Sequence, residues 1–223
     1  MKVLVFCPLA PTTPRIYGRT VQSILTLEYD DPLDIVFARH DEPGPAKGTL
    51  NLMHKHNRAR QMVLDGNYDA MLSIEADMIV PPNTLTRLAA VEADVAYGLY
   101  CSRHGQHQWL AFHEIGKATG KSIDSKRNYA AAQWGQVITT QGVGMGCTLI
   151  HRRVLEKIEF RLNGSMADDW YFALDCKAHG FVQKHDLGVV CGHILNHNSM
   201  AVVWPTINTD KTMFEIEPLE ASQ

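Results

Sequence analysis

The chain has 223 residues, a formal net charge of -3 and 45% apolar residues. That length suffices for one domain with a substantial core, and the charge gives no basic field for nucleic acid. The five cysteines (Cys7, Cys101, Cys147, Cys176 and Cys191) are odd in number, widely spaced and without a C-x-x-C, which argues against a disulfide framework and predicts a reducing, cytoplasmic setting.

Taken in order, residues 2–7 form an apolar run that predicts a buried strand. Pro8 breaks it too early for a signal peptide, and no apolar run approaches membrane-span length. A proline-rich loop over 8–14 leads into a helix near 19–27. Residues 33–38 predict a second strand, 40–45 a loop and 51–64 a helix. Residues 70–74, between Gly66-Asn67 and Pro81-Pro82, predict a third buried strand. A helix over 83–91 and a strand over 94–99 follow, and the alternation implies parallel βαβ units. From 101 to 141 the pattern loosens. The Gly-, Ser- and charge-rich stretch 117–128 reads as a mobile lid, with a short strand near 136–140. Residues 147–150 form another apolar run before a helix near 153–158. A helix spans 168–179, ended by Gly180, and a strand spans 188–191. The segment after His197 has weak periodicity and reads as a wrap or a subunit contact.

Glu75 and Asp77 stand at the carboxyl end of the third strand, where open α/β sheets bind ligands. Side chains two apart on a strand share a face, and the small Ala76 between them lets the backbone turn, so the pair can grip one cation. The bland account is a solvated loop before a helix. Gly142-Val143-Gly144-Met145-Gly146 lacks the Lys-Ser/Thr of a Walker loop and does not open a helix. It reads as backbone that must pass close to a ligand or a packed element. Among eleven histidines, His54 and His56 lie on different faces of their helix, and His104 and His107 sit in a loop. His193 ends a strand as Asp77 does, either as a ligand beside the carboxylates or as a structural histidine. Asp168 and Asp169 open a helix. They suit a cap and the helix dipole or a general base, and spacing does not choose.

Together these pieces resemble glycosyltransferase family 2 and its relatives with the GT-A fold, an α/β, Rossmann-like fold with a mostly parallel central sheet flanked by helices. The resemblance runs from Lys2 to about Ile194. It rests on four segments in order: 58–64 with 69–77, resembling the helix and strand leading to the D-x-D motif; 94–103; the Gly-rich 142–153; and 168–181, resembling the E-D acceptor motif. Gly192-His193-Ile194 matches a late histidine that some members use as a metal ligand. Glu75 replaces the first Asp of D-x-D, and Asp168 stands where Glu is usual.

The resemblance implies a metal-dependent, inverting transfer from a nucleotide sugar, with a UDP-sugar the expected donor, to a hydroxyl acceptor on a glycan, protein or modified nucleobase. Asp77 and His193, with Glu75 directly or through water, would hold Mn²⁺ or Mg²⁺. Pro8, Leu9, Arg39, Asp41, Arg58, Ala76 and Gly144 would contact the donor, and Arg15 and Arg103 its phosphates or sugar. Asp169 would be the catalytic base, and Asp168 would cap the helix or hold the acceptor. Residues 1–101 would form the nucleotide-sugar half and 102–197 the acceptor and catalytic half of one domain, with 198–223 a tail available for oligomer contacts. The rival readings are a nucleotidyltransferase and a catalytically silent sugar-nucleotide or glycan-binding module.

Overall fold

The computed structural model describes residues 1–9, 14–39, 48–105, 107–119, 122–127, 134–142, 144–162, 167–195, 201–206 and 214–218. Strand β1 (Val3–Pro8) is buried at every position, as an uninterrupted apolar run requires when both faces are covered. Helix α1 (Pro14–Leu25) follows, with Pro at its first position, where no backbone N–H is needed. Strand β2 (Leu33–Ala38), helix α2 (Gly48–Asp65) and the fully buried β3 (Ala70–Ile74) complete the first half, then the short β4 (Met78–Ile79), α3 (Thr84–Ala89) and β5 (Val95–Leu99).

The second half holds the hairpin β6 (Phe112–Thr119) and β7 (Ser122–Arg127), then β8 (Val137–Thr139), β9 (Cys147–His151), α4 (Arg152–Leu155) and α5 (Asp168–Ala178). It ends with β10 (Gln183–Val190), β11 (Gly192–Ile194), β12 (Ala201–Pro205) and β13 (Phe214–Pro218). Helix α5 stops where the sequence says it should. Gly180 takes φ 74°, its N–H bonds Lys177, and the Phe181 N–H bonds Cys176, the paired bonds of a Schellman motif.

The result is a mixed α/β fold. A seven-stranded sheet runs β2-β1-β3-β9-β5-β10-β8, a four-stranded sheet runs β13-β12-β11-β4, and β6-β7 stand as a pair. Five of the seven strands in the larger sheet run the same way. β1 is parallel to β2 and β3, and β10 to β5, but β9 lies antiparallel between β3 and β5, and β8 is antiparallel to β10. A buried apolar run such as Cys147-Thr148-Leu149-Ile150 reads alike in either direction. Stretch 117–128, expected as an unstructured lid, falls largely in the β6-β7 hairpin. The segment after 197, expected as a tail, supplies β12 and β13 to the sheet that carries His193.

Helix α2 packs on β1 and β3, and α3 on β5, β9 and β10. Phe6, Met71, Leu72 and Ile74 are completely buried at the centre, each contributing about 1.5–3 kcal/mol on burial. This rigid centre fixes the carboxyl ends of β1, β3 and β5, from which the site is built. No helix among the described residues is long and apolar enough to cross a membrane.

Candidate functional site

The chain leaves β3 through a tight turn. The Glu75 N–H bonds the Gly146 carbonyl at 3.1 Å, tying the strand end to the start of β9, and the Met78 N–H returns to the Glu75 carbonyl. Thr20 Oγ1 donates to the Ala76 carbonyl at 2.8 Å. The reversal carries Asp77 out of the sheet and into β4. There β4 pairs with β11, setting Met78 opposite His193, and the Ile194 N–H bonds the Asp77 carbonyl at 2.8 Å. Two residues far apart in sequence are thus made neighbours by one short antiparallel ladder.

His193 Nδ1 lies 2.8 Å from the Cys101 carbonyl. A carbonyl only accepts, so Nδ1 carries the proton and the Nε2 lone pair faces outward in the neutral ring. Nε2 stands 3.4 Å from Asp77 Oδ2, and it is a buried nitrogen that makes no hydrogen bond of good geometry among the described residues. The Arg103 guanidinium pairs with the same carboxylate oxygen. Burial works to raise the Asp77 pKa, but His193 and Arg103 outweigh it and hold the carboxyl below its ordinary value. Burial likewise works to lower His193, and Asp77 reverses the sign, leaving the imidazole raised. Glu75 differs. Burial, then the Asp77 charge, push its carboxyl up to about 8.

On the opposite wall, α5 opens after Ala167, which provides no side-chain cap. Asp168 turns inward, 1% exposed, and pairs with the buried His56 Nδ1 at 2.7 Å. Against the expectation that Asp168 caps the helix or holds the acceptor, the cap position belongs to Ala167, and the Asp168 carboxylate is taken by His56 and does not line the cleft. Asp169 points the other way. Its Oδ1 accepts the Trp170 N–H at 2.8 Å. A Cβ on Gly144 would stand 3.1 Å from its Oδ2 and 2.5 Å from the Tyr100 hydroxyl. Burial first, then the Asp168 charge, push the Asp169 carboxyl up to about 6.

Between these walls lies a cleft of about 400 Å³, with Arg103, His104, Asp169 and His193 among its polar lining and Leu110, Phe112 and Trp170 on its apolar side. Arg103 and His104 sit on a tight loop whose base is closed by the Cys101–Trp109 bridge and by the Ser102 N–H on the Gln108 carbonyl.

The other sequence-predicted residues fall as follows. Pro8 and Leu9 are buried at the end of β1. The Leu9 carbonyl accepts Lys55 Nζ at 2.6 Å, a buried ammonium that the sequence reading passed over. Arg39 is exposed after β2. Arg58 is exposed on α2 and does not line the cleft; the α2 side chain that reaches the start of α5 is His56, two positions earlier. Asp41 and the Arg15 side chain lie outside the described residues. Tyr100, Trp170 and His104 were also missed. Their signal was position: Tyr100 ends a strand as Asp77 does, Trp170 follows Asp169, and His104 follows Arg103.

Among the described residues, no group of three or more His, Cys, Asp or Glu side chains is placed to hold a metal ion. Asp77 Oδ2, which Arg103 also holds, stands 3.4 Å from His193 Nε2. A carboxylate with an imidazole suits a divalent cation whose remaining positions are filled by ligand oxygens and water.

The chain matches no protein-family model and no curated protein. It is similar to the crystal structure of A197 from STIV, with 16% sequence identity and a TM-score of 0.61 over 100% of this chain and 97% of that one. At that identity the likeness speaks for the fold alone.

Proposed function

We propose that the chain is a glycosyltransferase of GT-A type, moving a sugar from a nucleotide sugar to a hydroxyl acceptor. The observation that carries the reading is one cleft lined by both His193, whose Nε2 stands 3.4 Å from Asp77 Oδ2, and Asp169, a carboxylate with raised basicity. Asp77 and His193 would hold the divalent cation, which when bound neutralises the charge of a departing nucleoside diphosphate. Arg103, at the cleft mouth, supplies a guanidinium fork suited to phosphate oxygens. Asp169 takes the acceptor hydroxyl's proton as that oxygen attacks the anomeric carbon. With a pKa near 6 it is ionised at neutral pH yet a stronger base than an ordinary carboxylate. Phe112 and Trp170, 4.9 Å apart between ring centroids, give the acceptor side an apolar wall that limits water.

A thermal-shift screen of nucleoside diphosphate sugars with and without Mn²⁺ tests the donor half, because a ligand that binds only the folded state raises the melting temperature. The reading expects Mn²⁺-dependent stabilisation by one donor class, lost in Asp77→Asn, followed by nucleoside diphosphate release from that donor. The count of two protein donors favours a second reading, a silent nucleotide-sugar-binding module. It predicts the same stabilisation with no release under any acceptor. Absence of stabilisation by every donor tried counts against both.

A further inference from the structure

His56 has no part in the cleft, yet it is completely buried 2.7 Å from Asp168, the residue next to Asp169. Its Nε2 lies 3.5 Å from Ser73 Oγ on β3. Its ring packs 5.0 Å from Phe160, which stacks at 5.0 Å on Phe172 of α5. Helix α5 has no side-chain cap at Ala167, so its start is held from within, through Asp168, rather than from its end. Successive helix residues point about 100° apart. Fixing Asp168 toward α2 therefore fixes Asp169 toward Gly144 and the cleft.

We propose that His56 and Asp168 form a positioning pair that sets the orientation of the Asp169 carboxylate, His56 acting through Asp168 and touching no substrate. The inference rests on reading Asp169 as the base, and it adds a residue on a different helix to that machinery. A pair that merely stabilised the core would anchor α5 anywhere along its length; this one anchors its first turn, where the helix lacks a cap. Asp168 and His56 face Asp169 from behind, Glu75 from the end of β3, Tyr97 from β5 and Tyr100 just after it, while Arg103 and His193 share the cleft.

The Trp170 amide gives a readout that needs no substrate, because its N–H is bonded to Asp169 Oδ1 and its proton shift follows the ionisation and orientation of that carboxylate. In the full-length wild type the amide is expected to titrate with a midpoint near 6. In His56→Ala the amplitude of that titration should fall at least about threefold, and His56→Gln, which keeps a donor to Asp168, should restore most of it. Asp168→Asn keeps the shape and removes the charge, so the titration should persist with its midpoint lowered by about one pH unit, a tenfold change in proton affinity. If His56→Ala does not fold, Asp168→Asn decides. An unchanged amplitude in folded His56→Ala overturns the proposal, as does an unchanged midpoint in Asp168→Asn. Because the amide is read on the protein alone, failure here and failure to detect sugar transfer are separate results.

Discussion

The Tyr100 hydroxyl accepts the backbone N–H of Gly146 at 3.1 Å. Its ring fills the space that a side chain at 144 or 146 would need: a Cβ at Gly146 would come within 2.7 Å of the ring and one at Gly144 within 2.5 Å of the hydroxyl. Gly144 and Gly146 thus answer to an aromatic ring packed beneath them, and the same packing leaves Gly144 as the floor beside Asp169.

Tyr100→Phe removes the acceptor and strands a buried N–H, which costs about 1–3 kcal/mol. The melting temperature should fall by roughly 2–10 °C for a chain of this size. Gly146→Ala should cost more, since the ring itself must move. Calorimetric melting of both variants checks the order; a Gly146→Ala protein as stable as the wild type removes the packing argument.

Asp77→Asn should keep the fold and lose Mn²⁺-dependent UDP binding, because the remaining imidazole has no anionic partner to share a cation. His193→Ala should weaken the metal less, since it removes one neutral donor and leaves the carboxylate. Isothermal titration with Mn²⁺ and UDP measures both, and unchanged affinity in Asp77→Asn would sink the metal assignment.

His185 on β10 is completely buried, and neither ring nitrogen makes a hydrogen bond of good geometry among the described residues. Burial pulls its pKa from 6.5 to about 4, and the Gly98 backbone and the Asp186 charge offset only part of this. Between those two values the unfolded chain binds the proton and the folded chain does not. Stability therefore rises with pH across this window and is lost as pH falls from 6.5 toward 4, by on the order of 3 kcal/mol in all. Urea unfolding midpoints taken across that range should show the slope in the wild type and a flatter one in His185→Leu.

Strong local periodicity made most elements readable. The continuous apolar runs at 3–7, 70–74 and 95–99 occupy buried strands, and Gly180 marks the end of α5. Asp77, His193, Asp169 and Arg103 could be singled out through the order of segments that resembles a known family, since spacing alone left each a structural alternative. What stayed hidden depends on pairings between distant segments. The sense of β9, the β4-β11 ladder that seats His193 by Asp77, and the burial of Asp168 on His56 across 112 residues leave no mark in local spacing. Asp168 and Asp169 are chemically identical and adjacent, and only the packing of α2 against α5 separates their roles.

Asp169→Asn isolates the base. The amide keeps the shape and still accepts the Trp170 N–H, so donor and metal binding should stay close to wild type. The rate should fall at least about 100-fold, the low end of what a positioned general base contributes. The wild-type pH profile supplies an independent sign. A base must be unprotonated to act, and burial together with Asp168 raises this carboxyl to about 6. Transfer should therefore rise through pH 6 and level off above it, rather than level off near 4 as an ordinary carboxylate would. If Asp169 served only the helix start, Asn would serve nearly as well, the rate would barely change, and the inflection near 6 would belong to another group. Steady-state rates of both proteins from pH 5 to 8, with an acceptor that supports wild-type turnover, separate the two: a near-normal rate in Asp169→Asn removes this residue from the mechanism.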